Sequence, residues 1–273
     1  MTISTALAQG TRLLEDAAIS APRLTAEVLL AHAIGCERVW LFAHSSDDLR
    51  EVWWIHYGRY LHQRLQGKPT QQITGRQEFY GREFRVTPDV LIPRPETEHV
   101  VEAALRKPAA RIVDIGTGSG AIAVTLALET RAHVAATEIS RAALRVAREN
   151  ARRLEARVEW IECDLGSALA PRTFDLVVSN PPYVPASDKA KIQREVRDFE
   201  PEIALYGGND GYEVYRRLIP DAWRLLRPGG WLIMEIGYAT GDTVREMLSA
   251  WHHVEILPDL AGLPRVLEAN RPV

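Results

Sequence analysis

Cysteine is scarce in this 273-residue chain, which has only Cys36 and Cys163. The two lie far apart and form no C-x-x-C pattern, and the 8 histidines show no spacing typical of metal ligands. These absences exclude a disulfide framework and a zinc site, and they suit a reducing compartment. We therefore expect no structural metal.

The chain also lacks an excess of positive charge and a long apolar run. Its formal net charge is -3, so no global positive field would hold it on nucleic acid or an anionic membrane. Nowhere do about 18 apolar residues follow one another, and the first residues show no secretory pattern. We expect a cytoplasmic protein without membrane attachment or direct nucleic-acid binding.

Helical periodicity dominates residues 1–70. One helix is predicted from Ser20 as its cap, through Pro22, to Gly35, and another from Asp47 or Asp48 to Gly67. Their apolar residues recur at steps of three and four, as one buried face of a helix requires. We predict a small helical bundle.

Residues 71–90 have a different pattern, with two short β-like runs that meet around Gly81. The runs are Glu78-Phe79-Tyr80 and Phe84-Arg85-Val86, and they predict a β-hairpin connecting two domains. The segment Leu91–Glu98 follows, in which two prolines flank Arg94 and favour a stiff, extended chain.

Strands and helices alternate in residues 91–273. The predicted strands are Arg111–Asp114, His133–Glu138, Val158–Glu162, Phe174–Ser179, Trp231–Ile236, Val254–Leu257 and Arg265–Leu267. The predicted helices are Ser119–Leu128, Ser140–Leu154, 211–226 and 242–251, and His252-His253 is expected in an exposed loop. This alternation indicates an α/β domain with a mostly parallel sheet, whose ligands bind at the carboxyl ends of the strands.

A glycine-rich loop follows the first of these strands. It reads Gly116, Thr117, Gly118, Ser119, Gly120, and a helix begins directly behind it. Glycines let the chain turn sharply and let a ligand approach the backbone closely. The strand before and the helix after favour a nucleotide site over a purely structural turn.

Acidic residues follow the next two strands. Glu138 is placed to accept hydrogen bonds from the ribose hydroxyls of an adenosine, although it could equally be an acid at a helix N-terminus. Asp164 could face the adenine amino group or lie in a surface loop. At this point a dehydrogenase and a methyltransferase both remain possible.

The fourth strand ends in Asn180-Pro181-Pro182-Tyr183. Asn180 offers an amide oxygen and Pro181 lacks an N–H, so the turn presents acceptors with few competing donors. Two acceptors suit the two hydrogens of a substrate NH2 group, and Tyr183 offers a flat face for a planar amide or base. The alternative is a tight Pro-Pro turn with no function.

These residues together resemble the HemK-type family of peptide chain release factor glutamine N5-methyltransferases. The similarity covers the helical N-terminal part, Gly67-Lys68-Pro69, Gly75, Phe79-Tyr80-Gly81, Leu91–Glu98, Asp114–Ala121, Asn180–Tyr183, Glu200-Pro201, Gly207–Gly211, Pro228–Gly230 and Glu235–Gly237. Two positions depart from the usual pattern: Thr240, where the family often has glutamine, and Leu165, where an aromatic can flank the adenine.

The resemblance implies a seven-stranded class I S-adenosylmethionine-dependent methyltransferase (Rossmann-like) domain with an antiparallel last strand. S-adenosylmethionine would lie across Gly116–Gly120 with Glu138 on the ribose, while Asn180 and the Pro181 carbonyl would hold a glutamine NH2 group. The N-terminal helices would dock the release factor, and Arg94 would approach the cofactor carboxylate or the substrate.

Two other functions remain open from the sequence. An adenine-N6 DNA or RNA methyltransferase would use Asn180–Tyr183 on the exocyclic amine of a flipped base. A non-catalytic S-adenosylmethionine-binding module would keep the fold without turnover.

Overall fold

Contacts in the computed structural model, which describes residues 1–273, divide the chain into two units. Unit 1 comprises residues 1–76 and 193–199, and unit 2 comprises 77–192 and 200–273. The sequence placed the first boundary at residue 70 and a linker over 71–90, whereas nearly all of the hairpin belongs to unit 2. The inclusion of 193–199 in unit 1 has no signature in the local sequence.

Unit 1 is a helical bundle, as the periodicity predicts. Its helices are α1 (Ile3–Asp16), α2 (Pro22–Ile34), α3 (Arg38–Ala43), α4 (Glu51–Leu65), α5 (Thr70–Thr74) and, from the later segment, α9 (Arg194–Phe199). The apolar side of each longer helix faces a common core, in which Tyr57 is completely buried. Helices α1 and α4 approach closely, and a Cβ at Gly10 would overlap the Tyr57 hydroxyl.

Two helix starts in unit 1 differ from the prediction. Helix α2 is preceded by Ala21 in the left-handed conformation, and Ser20 does not cap it. Helix α4 begins at Glu51 rather than at Asp47 or Asp48, because Asp48 pairs with Thr2 in an isolated β-bridge. The predicted stop of α2 at Gly35 is confirmed by its left-handed φ of 82°.

Helix α9 is joined to α4 and α5 by polar contacts. The Arg64 guanidinium lies 2.5 Å from a Glu195 carboxylate oxygen, and the Gln72 side-chain amide donates to the Phe199 carbonyl at 2.8 Å. Arg64 and Gln72 are both buried. These contacts between segments more than 120 residues apart attach α9 to the bundle.

The predicted hairpin is confirmed, with slightly different bounds. Strands β1 (Arg76–Phe79) and β2 (Arg82–Arg85) form a two-stranded sheet. Tyr80 and Gly81 between them both have positive φ, 51° and 70°, as the central residues of a type I′ turn require. The prediction that β-like structure starts at Gln71 is wrong, because residues 70–74 form helix α5.

A seven-stranded sheet forms the centre of unit 2. Its strands are β3 (Arg111–Ile115), β4 (His133–Glu138), β5 (Val158–Glu162), β6 (Phe174–Ser179), β7 (Leu226–Glu235), β8 (His252–Pro258) and β9 (Pro264–Asn270). The order is β5-β4-β3-β6-β7-β9-β8, and β9 runs antiparallel to both of its neighbours. The predicted parallel sheet with an antiparallel last strand is confirmed.

Helices cover both faces of this sheet. They are α6 (Glu98–Leu105), α7 (Ala121–Glu129), α8 (Arg141–Arg153), α11 (Glu213–Leu225) and α12 (Gly241–Met247). The short helix α10 (Glu202–Leu205) precedes α11 in the chain. Successive strand residues alternate between two cores, since Ile112 packs with α6 and α7 while Val113 packs with α11 and α12. The mostly apolar central strands follow from burial on both faces.

Several predicted bounds in unit 2 are corrected. Helix α7 starts at Ala121, two residues after Ser119, because the loop before it continues to Gly120. The β7, β8 and β9 strands are longer than predicted, and His252-His253 begins strand β8 rather than lying in a loop. No helix in the structure is both long and apolar enough to cross a bilayer.

Candidate active site

The cavity of unit 2 lies where the strand order reverses. Strands β4 and β5 extend the sheet on one side of β3, and β6 and β7 extend it on the other, so the loops after β3 and β6 diverge and leave a crevice. A cavity of about 240 Å³ opens there. It is lined by Leu91, Pro93, Arg94, Thr97, Gly116–Ser119, Ala121, Ile122, Glu138, Ile139, Cys163–Leu165, Asn180, Pro182, Ile203, Ala204, Val214 and Arg217.

The glycine-rich loop forms one wall of this cavity. Gly116 and Gly118 have φ of 74° and 56°, and a Cβ added to either would meet no atom within 4 Å. Side chains rarely adopt such φ values, so glycine keeps this backbone accessible to a ligand. Gly120 does not line the cavity, because its Cα faces Ala147, whose Cβ would lie 3.1 Å from an added Cβ.

The Glu138 carboxylate connects the loop to the helix that follows β4. One oxygen accepts from the Gly118 N–H and the other from the Ser140 N–H, both at 2.9 Å. The side chain still lines the cavity, and the residue is 9% exposed. The carboxylate therefore organises the start of α8, while its remaining lone pairs are available at the cavity and its contact with a ribose stays a prediction.

A second acid supports the loop from behind. Asp114 is completely buried at the end of β3 and accepts from the Thr117 hydroxyl at 2.6 Å. Burial raises the pKa of this carboxyl to about 7, because a charged group loses its hydration there. Asp114 supports the loop conformation without lining the cavity.

The segment after β5 forms the opposite wall. Asp164 lines the cavity and pairs at 2.5 Å with Arg217, which also lines it. Leu165 lines the cavity with φ of 48°. The apolar Ile139 and Ile203 are exposed at the cavity as well; the sequence did not single them out, although Ile139 directly follows Glu138.

The Asn180-Pro181-Pro182-Tyr183 turn meets the same cavity at the end of β6. Asn180 and Pro182 line it, whereas Pro181 is buried and Tyr183 lies behind the wall. The Tyr183 hydroxyl donates to Glu235 at 3.2 Å. Burial and the Glu235 charge raise the pKa of this phenol. The stacking role predicted for Tyr183 stays a prediction.

Two residues behind Asn180 were not assigned a role from the sequence. Thr97 receives the Asn180 Nδ2–H at 3.1 Å and donates its hydroxyl to Glu235 at 2.5 Å. Glu235 is 2% exposed at the end of β7, and burial raises the pKa of its carboxyl. Both residues lie in segments that carry the family resemblance, and Glu235 is an acid directly after the apolar run Trp231–Met234, but neither signal indicates that the two side chains meet at Asn180.

Arg94 lines the cavity from the proline-rich segment. It lies 2.5 Å from a carboxylate oxygen of Glu200, whose other oxygen accepts from the Ile92 N–H at 3.0 Å. Glu200 is almost fully buried, so it holds Leu91–Arg94 against the site. The predicted extended segment ends there, because Pro95–Thr97 form a 3₁₀ turn that leads into α6. The predicted position of Arg94 near a ligand is consistent with this placement.

The arrangement combines two kinds of chemistry in one cavity. One side offers open glycine backbone and a carboxylate, which suit the ribose of an adenosine. The other side offers the amide of Asn180, which suits a neutral polar group of a substrate. The structure brings together no cluster of His, Cys, Asp or Glu that could hold a metal ion.

The fold of unit 2 is shared with solved methyltransferases. A methyltransferase from Pyrococcus furiosus superposes with a TM-score of 0.56 at 20% identity, covering 71% of this chain and 91% of that one. A Thermus thermophilus 16S rRNA N2 G1207 methyltransferase, solved with AdoMet and guanosine, gives a TM-score of 0.52 at 19% identity and covers 72% of this chain and 49% of that one. At these identities the similarity shows the class I methyltransferase fold alone.

Two family models match the chain in sequence. Residues 5–75 match the PrmC N-terminal domain, and residues 97–197 match the methyltransferase small domain. The first match corresponds to the helices of unit 1 before the hairpin. The second spans the glycine-rich loop and the Asn180 turn.

Relatives match over nearly the full length. A release factor glutamine methyltransferase of Koribacter versatilis is 47% identical over 100% of this chain and 99% of its own. Proteins of the same name are 43% identical in Moorella thermoacetica, over 99% of each chain, and 46% identical in Neisseria gonorrhoeae, over 90% of this chain and 92% of that one. Since these matches include both units and the whole cavity, the chain belongs to the family of release factor glutamine methyltransferases.

Proposed function

We propose that this protein transfers a methyl group from S-adenosylmethionine to the side-chain amide nitrogen of the glutamine in the Gly-Gly-Gln motif of peptide chain release factors. The observation that carries the proposal is the meeting of the glycine-rich loop, Glu138 and Asn180 in one cavity. Full-length membership in the family supports the choice of substrate.

The cavity residues fit S-adenosylmethionine. Gly116 and Gly118 leave room for a ligand against the backbone, and Glu138 retains acceptor capacity for ribose hydroxyls. Asp164 and Leu165 line the same cavity and would face the adenine. When bound, the cofactor supplies an electrophilic methyl carbon on a sulfonium.

Asn180 would position the acceptor nitrogen. An amide nitrogen is a poor nucleophile because its lone pair is delocalised into the carbonyl. The Asn180 Oδ1 would accept one hydrogen of the substrate NH2 group, which orients the nitrogen and returns electron density to it. The second acceptor implied by the resemblance is the carbonyl of Pro181, a buried residue next to the cavity-lining Asn180 and Pro182. After methyl transfer the amide nitrogen carries the methyl group and one extra proton. This N-protonated amide is strongly acidic, so the proton can leave to water without a dedicated base.

Unit 1 would dock the release factor. It exposes large apolar side chains on two helices: Val39 and Phe42 on α3 are 74% and 54% exposed, and Ile55 on α4 is 62% exposed. Exposed apolar side chains of this size suit a protein partner. Remote contacts of this kind would hold a flexible glycine-rich loop in reactive geometry. A substrate that acts on the ribosome would place the enzyme in the cytoplasm.

The central experiment offers the protein several acceptors with labelled cofactor. The acceptors are a folded release factor, the same factor with the loop glutamine replaced by glutamate, a free loop peptide, and pools of DNA and RNA. We expect label on the intact factor, little on the peptide and none on the glutamate form, with tandem mass spectrometry locating the methyl on glutamine. Label on nucleic acid would instead support an adenine-N6 methyltransferase, and cofactor binding without any transfer would support a binding module.

Docking can be tested by matched surface substitutions. Phe42→Ser should raise the KM for the folded factor about 10-fold while leaving cofactor affinity unchanged. Leu260→Ser is the control, because Leu260 is a 96% exposed residue in the β8–β9 turn of unit 2. An equal effect of both substitutions on KM would contradict docking through unit 1.

A further inference from the structure

A chain of three hydrogen bonds runs from the cavity wall into the core of unit 2. Asn180 Nδ2 donates to Thr97 Oγ1 at 3.1 Å, and that hydroxyl donates to Glu235 Oε2 at 2.5 Å. The Tyr183 hydroxyl donates to Glu235 Oε1 at 3.2 Å. Adjacent parallel strands create this arrangement, since Ser179 and Met234, the residues before Asn180 and Glu235, are register partners in β6 and β7.

The direction of donation along this chain is determined by the chemistry of its groups. In its ionised form Glu235 can only accept, and both of its oxygens accept from hydroxyls in the structure. Thr97 has one hydroxyl hydrogen, which it gives to Glu235. Its oxygen can therefore only accept from Asn180, and the NH2 end of the Asn180 amide must be the one that faces Thr97.

The opposite orientation of the asparagine amide is disfavoured for the same reason. A flipped amide would place Oδ1 against a Thr97 oxygen that has no hydrogen left to donate. Thr97 and Glu235 are 5% and 2% exposed, so water has little access to repair that mismatch. The correct orientation leaves Asn180 Oδ1 as the end of the amide not used by the network.

We propose that Thr97 and Glu235 are positioning residues that orient the Asn180 amide so that its oxygen is presented to the substrate. This inference rests on the proposed function, in which that oxygen accepts a hydrogen of the glutamine NH2 group. A glutamine amide has a donor end and an acceptor end. Thr97 and Glu235 thus make the site select an NH2 group, and they disfavour binding of the substrate in the flipped orientation that would present its carbonyl oxygen.

Substitutions at Thr97 separate the hydrogen bonds from simple packing. Thr97→Val keeps the shape but breaks both bonds, and we expect kcat on the folded release factor to fall about 10- to 100-fold, with KM and cofactor affinity nearly unchanged. Thr97→Ser restores the hydroxyl and should recover most of that loss. Thr125→Val is the matched control, because the buried Thr125 hydroxyl bonds only to the Ala121 carbonyl within α7, and its kcat should stay at the parental value.

The coupling to Asn180 is tested by a double variant. If Thr97 acts through Asn180, Thr97→Val should cause little further loss of kcat in an Asn180→Ala background. Fully additive losses would overturn the proposal, as would a parental rate for Thr97→Val or a Thr97→Ser variant as impaired as Thr97→Val.

A second measurement needs neither cofactor nor substrate. In nitrogen-15-labelled protein, the Asn180 side-chain amide protons should exchange with solvent at least 10-fold faster in Thr97→Val than in the parent or in Thr97→Ser. Unchanged exchange would overturn the orienting role even if the release factor proves not to be the substrate. Failure of the parent to label the release factor, combined with the expected exchange result, would overturn the proposed function and leave the orienting network in place.

Discussion

Replacement of Glu138 by alanine tests the cofactor site most directly. The carboxylate accepts from the Gly118 and Ser140 N–H groups at 2.9 Å each and lines the cavity. Removal of the carboxylate should therefore have two separate effects, one on the glycine-rich loop and one on ligand binding. The free protein should lose stability, and the bound cofactor should lose its acceptor for two ribose hydroxyls.

The two effects are expected to be of similar size and are measured separately. Hydrogen bonds to a charged group are worth about 1.5 to 3 kcal/mol each, and water in the open cavity would replace part of the loss in the free protein. We expect the free energy of unfolding to fall by about 1 to 3 kcal/mol. Loss of the ribose contacts should weaken cofactor binding by about 1.5 to 3 kcal/mol, or roughly 10- to 100-fold in Kd.

Isothermal titration calorimetry with S-adenosylmethionine and its demethylated product measures the second effect, and urea unfolding of the free protein measures the first. Glu162→Ala is the matched control. Glu162 ends the neighbouring strand as the register partner of Glu138, but it is exposed, pairs with Arg141 and does not line the cavity. The control should leave cofactor affinity within about twofold of the parent.

The ribose assignment would be refuted if Glu138→Ala bound S-adenosylmethionine with the parental Kd. A loss of affinity of the same size in Glu162→Ala would also refute it, because the effect would then reflect general charge rather than a contact. A loss of stability with unchanged affinity would restrict Glu138 to the support of the glycine-rich loop.

Three further predictions follow from the same geometry. Asn180→Ala should retain the parental cofactor Kd but lower kcat by at least about 100-fold, and single-turnover transfer at parental rate would contradict it. Gly116→Ala should weaken cofactor binding more than 10-fold because the new Cβ would enter the cavity. Gly262 is the control, because it has a similar φ of 78° and equally open surroundings. Gly262→Ala should lower the melting temperature without changing the cofactor Kd. Burial raises the pKa of Asp114 to about 7, so the native state keeps a proton that the unfolded chain releases near pH 4. The free energy of unfolding should therefore fall as pH rises from about 4 to 7, by up to about 1.4 kcal/mol per pH unit. Urea unfolding of Asp114→Asn should lack that slope.

Local sequence patterns were sufficient for the architecture. The alternation of apolar strands with amphipathic helices predicts the parallel sheet, because strands buried on both faces must be largely apolar. Gly116 and Gly118 follow β3 directly, and such a loop at a strand end indicates a ligand site by itself. The motif after β6 identified Asn180 for the same reason, since its residue types and position both lie within one short segment.

Helix and strand ends were less predictable because contacts distant in sequence determine them. Asp48 has the side chain of a helix cap, but its β-bridge with Thr2 delays α4 to Glu51. Ser119 precedes an apolar helix, yet the loop keeps the chain out of helical conformation until Ala121. Helix propensity and helix capping are worth about 1 kcal/mol per residue, and tertiary contacts of this kind outweigh them.

Tertiary structure alone decided which residues hold the Asn180 amide. Thr97 and Glu235 are separated by 138 residues, and no local pattern predicts that they meet. Only the pairing of β6 with β7 and the path of the proline-rich segment bring both to Asn180. The sequence by itself determined the fold and pointed to the glycine-rich loop, Glu138 and Asn180, because those depend on local patterns, whereas the set of residues that line the cavity and the orientation of the Asn180 amide depend on partners that only the folded chain assembles.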